Sequence, residues 1–152
     1  MKTRSGFVSN SSSSSFVVIS DDTEHMLPWR QYENERFIAI GEKGEYDFGW
    51  QHERYSDFPS KLNFVYIQAM ALQEYTGDDK WLKLIHAVLR HWKITRVEVR
   101  LSLETQSKYF GIIDHSSAYE EDKNCEMFES AKTLEQFLFN PLSYIQCQND
   151  GG

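Results

Sequence analysis

The sequence predicts an α+β fold: a mostly antiparallel sheet of five to six short strands, packed on a helical hairpin, with a short helix near the C-terminus. Three observations carry this expectation. Residues 60 to 92 hold two consecutive stretches with apolar side chains at three- and four-residue spacing, separated only by Gly77-Asp78-Asp79. Residues 94 to 103, Ile-Thr-Arg-Val-Glu-Val-Arg-Leu-Ser-Leu, then alternate strictly between apolar and polar. The other short apolar runs lie before and after the helical block, which fits α+β and not a βαβ alternation. The 152 residues suffice for a single domain with a real core, and 40% of them are apolar. Aromatic residues make up 14%, so Phe, Tyr and Trp must supply much of the buried area.

Each element follows from local chemistry. Phe16 to Ile19 is aromatic and β-branched, bounded by serines and acids, and reads as a short buried strand. Residues 21 to 35 are polar with Pro28 and read as a loop or short helix. Arg36 to Gly41 is a second strand. A Glu-Lys-Gly-Glu turn then leads to Tyr46 to Gln51, an alternating third strand, and the two form a hairpin. The first helix starts at Ser60 as N-cap, keeps Leu62, Val65, Tyr66, Ala69, Met70 and Leu72 roughly on one face, and stops at Gly77. Asp78 or Asp79 caps the second, in which Trp81, Leu82, Ile85, Val88, Leu89 and Trp92 recur at helical spacing. After the alternating strand, Ser107 to Asp114 is its expected partner, and residues 115 to 126 are loop. Thr133 to Phe139 is a short amphipathic helix, with Thr133 as cap and Asn140-Pro141 as stop. Ser143 to Gln148 is a terminal strand.

Composition excludes several classes of function. No run approaches the roughly 18 to 20 apolar residues that cross a bilayer, and the N-terminus lacks the apolar core of a secretory signal. Cys125 and Cys147 stand far apart in no metal or redox pattern, which suits reduced thiols in a cytoplasmic protein. The net charge of −7 argues against general coating of nucleic acid, because that role needs a basic surface to displace counterions. The acids cluster only in part, at Asp21-Asp22, Asp78-Asp79 and Glu120-Glu121-Asp122, as expected of solvated faces.

The serine run from Ser11 to Ser15 raises the sharpest question, because the core strand begins at the next residue. Successive N–H groups and hydroxyls from Ser9 to Ser15 offer a phosphate-binding loop. Phosphate loops ordinarily need glycines for close backbone approach, and often a lysine. Only Lys2, Arg4 and Gly6 stand near. The segment "RSGFVSNSSSSSFVV" resembles an N-terminal signature that recurs in small, mostly uncharacterised proteins of bacteriophages and of bacteria carrying phage genes. Arg4, Gly6, Phe7, Val8, Ser9, Asn10, Ser11, Ser12, Ser13, Ser14, Ser15 and Phe16 match it. The later pieces "YFGIIDHSS" and "TLEQFLFNPLSYIQCQND" resemble recurring segments of the same proteins. The firm match spans about a tenth of the chain, and the looser ones bring it to about a third. The resemblance implies an origin, and a bacterial host cell as compartment, but no activity. Within the signature, Arg4, Phe7, Asn10, Ser11, Ser12 and Ser13 are the residues expected to bind a partner or define the motif.

Other constellations are weaker. Asp114, His115 and Ser116 lie together, but triads assemble from distant segments, and there is no Gly-x-Ser-x-Gly elbow. Asp114 and His115 therefore count as a speculative polar site. His86 and His91 are five apart, which is off a common face and unlike a zinc helix. With His25, His52 and His115 scattered, no metal is expected. Glu98 between Arg96 and Arg100 is explained by cross-strand pairing. Trp29 and Trp50, the second in the aromatic group Tyr46 to Trp50, are core by default and partner-binding where exposed.

Two functions from different classes follow. The first is a phage accessory protein that binds a host or phage protein, for instance to inhibit a host defence system, with no cofactor. The second is an enzyme or nucleotide- or phosphate-binding domain that uses the Ser9 to Ser15 loop. A third reading treats the serine segment as a tag, recognised or modified by another factor and independent of the domain behind it.

Overall fold

The computed structural model describes residues 2–5, 13–22, 37–40, 53–99 and 126–149, and among these residues it holds three helices and two sheets. The larger sheet holds β1 (Lys2–Ser5), β2 (Ser13–Ser20), β4 (Glu53–Tyr55) and β6 (Tyr144–Asn149), in the order β1-β2-β6-β4, with every pairing antiparallel. The smaller joins β3 (Phe37–Ile40) and β5 (Arg96–Val99) in parallel. The helices are α1 (Phe58–Thr76), α2 (Lys80–His91) and α3 (Ala131–Phe139), and a 3₁₀ turn spans Glu126–Phe128. The fold is mixed α+β, as the sequence predicts.

β2 is an interior strand, with β1 on one side and β6 on the other. Val17 and Ile19 join Ile145 and Cys147 in the main core. Phe16 and Val18, which alternate onto the opposite face, are buried as well. A strand buried on both faces reads as an unbroken apolar run, and that is why Phe16-Val17-Val18-Ile19 shows no alternation. The strand begins inside the serine run: Ser13 pairs with Asn149, Ser14 with Gln148 and Ser15 with Cys147.

α1 is capped three residues earlier than its sequence suggests. Asp57 is the N-cap, and its carboxylate accepts from the Ser60 amide at 3.0 Å and the Ser60 hydroxyl at 2.7 Å. Pro59 is tolerated because first-turn amides have no intrahelical acceptor. The helix is buried on nearly all sides up to Leu72, with Phe64 and Ile67 adding to the expected face. Gly77 ends it in the left-handed region at φ 78°, donating its amide to Gln73 O at 2.8 Å. In α2, Trp81, Ile85, Val88 and Leu89 are buried as the spacing predicts. Asp79 holds the N-cap position, while Asp78 accepts the Lys80 amide at 2.9 Å. For α3 the cap is Ser130 and not Thr133. Ser130 Oγ accepts the Thr133 amide at 3.1 Å, so Thr133 is already inside the first turn.

One core unites the helices with the inner face of the sheet. Part of it is a three-ring stack. Trp92 stacks on Phe139 at 4.0 Å between centroids, and Phe139 stacks on Phe58 at 4.9 Å. The end of α2, the end of α3 and the start of α1 thereby meet.

The strands depart from the expected arrangement. Among the described residues they do not form one sheet of five or six. Phe37–Ile40 lies beside Arg96–Val99, with the helical hairpin between them in sequence, and so long a connection allows strands to run in the same direction. The expected hairpin partner Tyr46 to Gln51, the Ser107 to Asp114 strand and Leu101 lie outside the described residues. Two strands had no clear sequence signal. Lys2–Ser5 and Glu53–Tyr55 are short and polar, the composition that suits the outer positions they hold in the four-stranded sheet.

Candidate functional site

Of the six signature residues expected to bind a partner or define the motif, the structure positions two. Arg4 sits in β1 opposite Val18, and Ser13 opens β2 opposite Asn149. Phe7, Asn10, Ser11, Ser12, Trp29, Trp50, Asp114 and His115 lie outside the described residues. The placement of Ser13 to Ser15 bears on the phosphate reading. In an extended strand successive N–H groups point to opposite sides, whereas an anion nest needs them to converge. Three of the five serines of the run are therefore committed to the ladder with β6.

The most developed polar constellation was not singled out from sequence. Lys61, in the first turn of α1, is 1% exposed. Its Nζ donates to Asn140 O at 2.8 Å and to Ser143 O at 3.0 Å. These carbonyls bracket the connection from α3 to β6. Asn140 Oδ1 accepts the Leu142 amide at 2.9 Å, and Asn140 Nδ2 donates to Asp22 O at 2.8 Å. Ser143 Oγ donates to Gln136 O and accepts the Ser20 amide, both at 2.9 Å. The end of β2, the end of α3, the start of β6 and the first turn of α1 are thus bonded through three buried side chains.

Opposing forces act on the Lys61 amine. Burial pushes it down to about 7 from its ordinary 10.5, and the Asp57 carboxylate pulls the other way. The carbonyl end of α3 also favours a cation, by up to about 2 kcal/mol. Full desolvation of an ammonium costs about 4 to 7 kcal/mol, so burial wins. The Phe137 ring centroid stands 5.8 Å from Nζ. As chemistry, this is a buried amine that locks backbone together. At 1% exposure it offers a substrate no approach. Its sequence signal was faint: a lysine just inside the start of an otherwise apolar helix.

Two smaller polar groups stand apart from this cluster. Arg54 donates Nε–H to Gln146 Oε1 at 3.0 Å and lies 4.1 Å from the centroid of the Tyr144 ring. Beside it Tyr55 donates to Glu53 Oε2 at 2.8 Å. Between α1 and α2, the Tyr66 hydroxyl and His86 Nε2 are 3.0 Å apart, with the rings edge-to-face. Burial raises the Tyr66 phenol above its usual range. It also lowers His86, with Arg90 adding to that effect.

Among the described residues no group of three or more His, Cys, Asp or Glu could hold a metal ion, and no helix is long and apolar enough to cross a membrane. Cys147 is buried, and Cys125 lies outside the described residues. No family model matches the chain, and no curated protein or solved structure is significantly similar to it.

Proposed function

We propose that this chain is a small phage-encoded accessory protein that acts by binding a protein of the bacterial host or of the phage, in the host cytoplasm. The observation that carries the reading is the N-terminal signature, Arg4 to Phe16, which resembles that of phage and prophage proteins. The net charge of −7 suits a partner with a basic site, and it disfavours general binding to nucleic acid. Tyr75, at the end of α1, is 73% exposed and adds an aromatic of the kind that dominates protein contacts. A component of a host defence system fits this partner class. Commitment of Ser13 to Ser15 to β2 weakens the competing phosphate-loop reading.

Affinity capture from host extract tests the proposal. A single stoichiometric partner, retained less well at high salt, is the expected result. No partner in any extract, together with a specific nucleotide or metal copurifying with the pure protein, would replace this function with the enzymatic one.

A further inference from the structure

We propose that Lys61 is a proton-operated latch: as a neutral amine it bolts the Asn140–Ser143 connection, and β6 behind it, to the first turn of α1, and as an ammonium it withdraws and frees that connection. The geometry has two sides. Inward, a neutral amine has two N–H groups, matching the two carbonyls it meets at 2.8 and 3.0 Å. An ammonium has a third N–H, for which the buried position supplies no acceptor among the described residues, and its charge has no ion-pair partner there. Outward, Asp57 lies one turn before Lys61 on the exposed end of the same helix, and its carboxylate favours the charged form. The long side chain therefore has a buried resting place as an amine and a solvated partner as a cation.

The surroundings leave this balance to few groups. Among the described residues Asp57 is the ionisable group whose charge acts on the amine. Further titratable groups on the elements packed around it are Asp21 and Asp22 just after β2, Glu135 on α3 and Tyr144 on β6. The other neighbours, Gln136, Phe137, Asn140 and Ser143, are neutral. What the latch holds is well defined. The Leu142 amide is bonded to Asn140 Oδ1 and the Ser143 amide to Asn140 O, both at 2.9 Å. The same Asn140 O receives Lys61, so opening should expose these two amides first.

The sign follows from proton counting. Between about 7 and 10.5 the open form holds a proton that the closed form lacks, so a lower pH favours opening. One proton gives about a tenfold change in the opening equilibrium per pH unit inside that window. The test is a titration of the Lys61 Cε resonance in the intact labelled protein, with amide exchange at Leu142 and Ser143 corrected for its intrinsic pH dependence. A midpoint between about 7 and 10 is expected, because opening on protonation raises it above the closed-form value, with opening increasing about tenfold from pH 9 to pH 8. Lys61→Met should remove that pH dependence. Asp57→Asn, which keeps an N-cap oxygen but removes the charge, should lower the midpoint further. A wild-type midpoint at 10 or above overturns the latch, and that measurement stands even where Lys61→Met fails to fold. An unchanged pH dependence in a folded Lys61→Met protein overturns it equally.

Discussion

Replacing Phe139 with leucine removes the middle ring of the stack while keeping an apolar side chain of similar reach. Phe139 is fully buried, 4.0 Å from the Trp92 centroid and 4.9 Å from that of Phe58, with interplanar angles of 11° and 20°. Each aromatic pair contributes about 0.5 to 1.5 kcal/mol beyond its buried area, so two pairs are worth about 1 to 3 kcal/mol. Leucine restores most of the apolar contact, and the change of shape adds up to about 1.5 kcal/mol. The expected cost is about 1 to 4.5 kcal/mol in total. Urea unfolding should show it as a fall in midpoint of about 0.5 to 2 M with an unchanged slope. A double-mutant cycle with Trp92→Leu should give a coupling of about 0.5 to 1.5 kcal/mol. A cost below about 1 kcal/mol, or no coupling, would refute the claim that this stack joins the ends of the three helices.

Two further outcomes can be checked by the same unfolding assay. Lys93 follows α2 in the left-handed region at φ 67°, and the Ile94 amide closes the end by donating to Leu89 O at 2.9 Å. Lys93→Gly should therefore stabilise the chain, by up to about 1 kcal/mol, because relief of backbone strain exceeds the entropy that glycine adds to the unfolded state; a net loss would contradict that balance. His86 is held below its ordinary 6.5 in the folded chain, by burial and then by Arg90. The stability this implies is complete above pH 6.5 and is lost as pH falls through the folded value, so His86→Gln should flatten the decline of the urea midpoint below pH 6.5. An equally steep decline in the variant would assign the effect to other groups.

Helices were the most legible part of the sequence, because their spacing repeats over several turns. The buried face of α2 matches residue by residue at Trp81, Ile85, Val88 and Leu89. Their starts were less legible. Asp57 and Ser60 both cap well in isolation, and only the carboxylate's reach to the Ser60 amide selects Asp57. The same competition separates Ser130 from Thr133. β2 was readable as an apolar run, but Lys2–Ser5 and Glu53–Tyr55 were not, since their pairing with β2 and β6 sets them and their own composition does not. The Lys61 cluster was the least legible. Its acceptors are main-chain carbonyls 79 and 82 residues away, and carbonyls carry no mark in a sequence. Arg4 and Ser13 were read from a resemblance, and their strand positions follow from register.

That the serine signature is part of the sheet, and not a tag independent of the domain behind it, is tested most directly by thermal unfolding of the chain lacking residues 1 to 15. The deletion removes β1 and the three serines that pair with β6. Its midpoint should fall by at least about 5 °C, which for a chain of this size corresponds to about 2 kcal/mol. A midpoint equal to that of the intact chain would contradict the placement of Ser13 to Ser15 in β2 and return the segment to the tag reading.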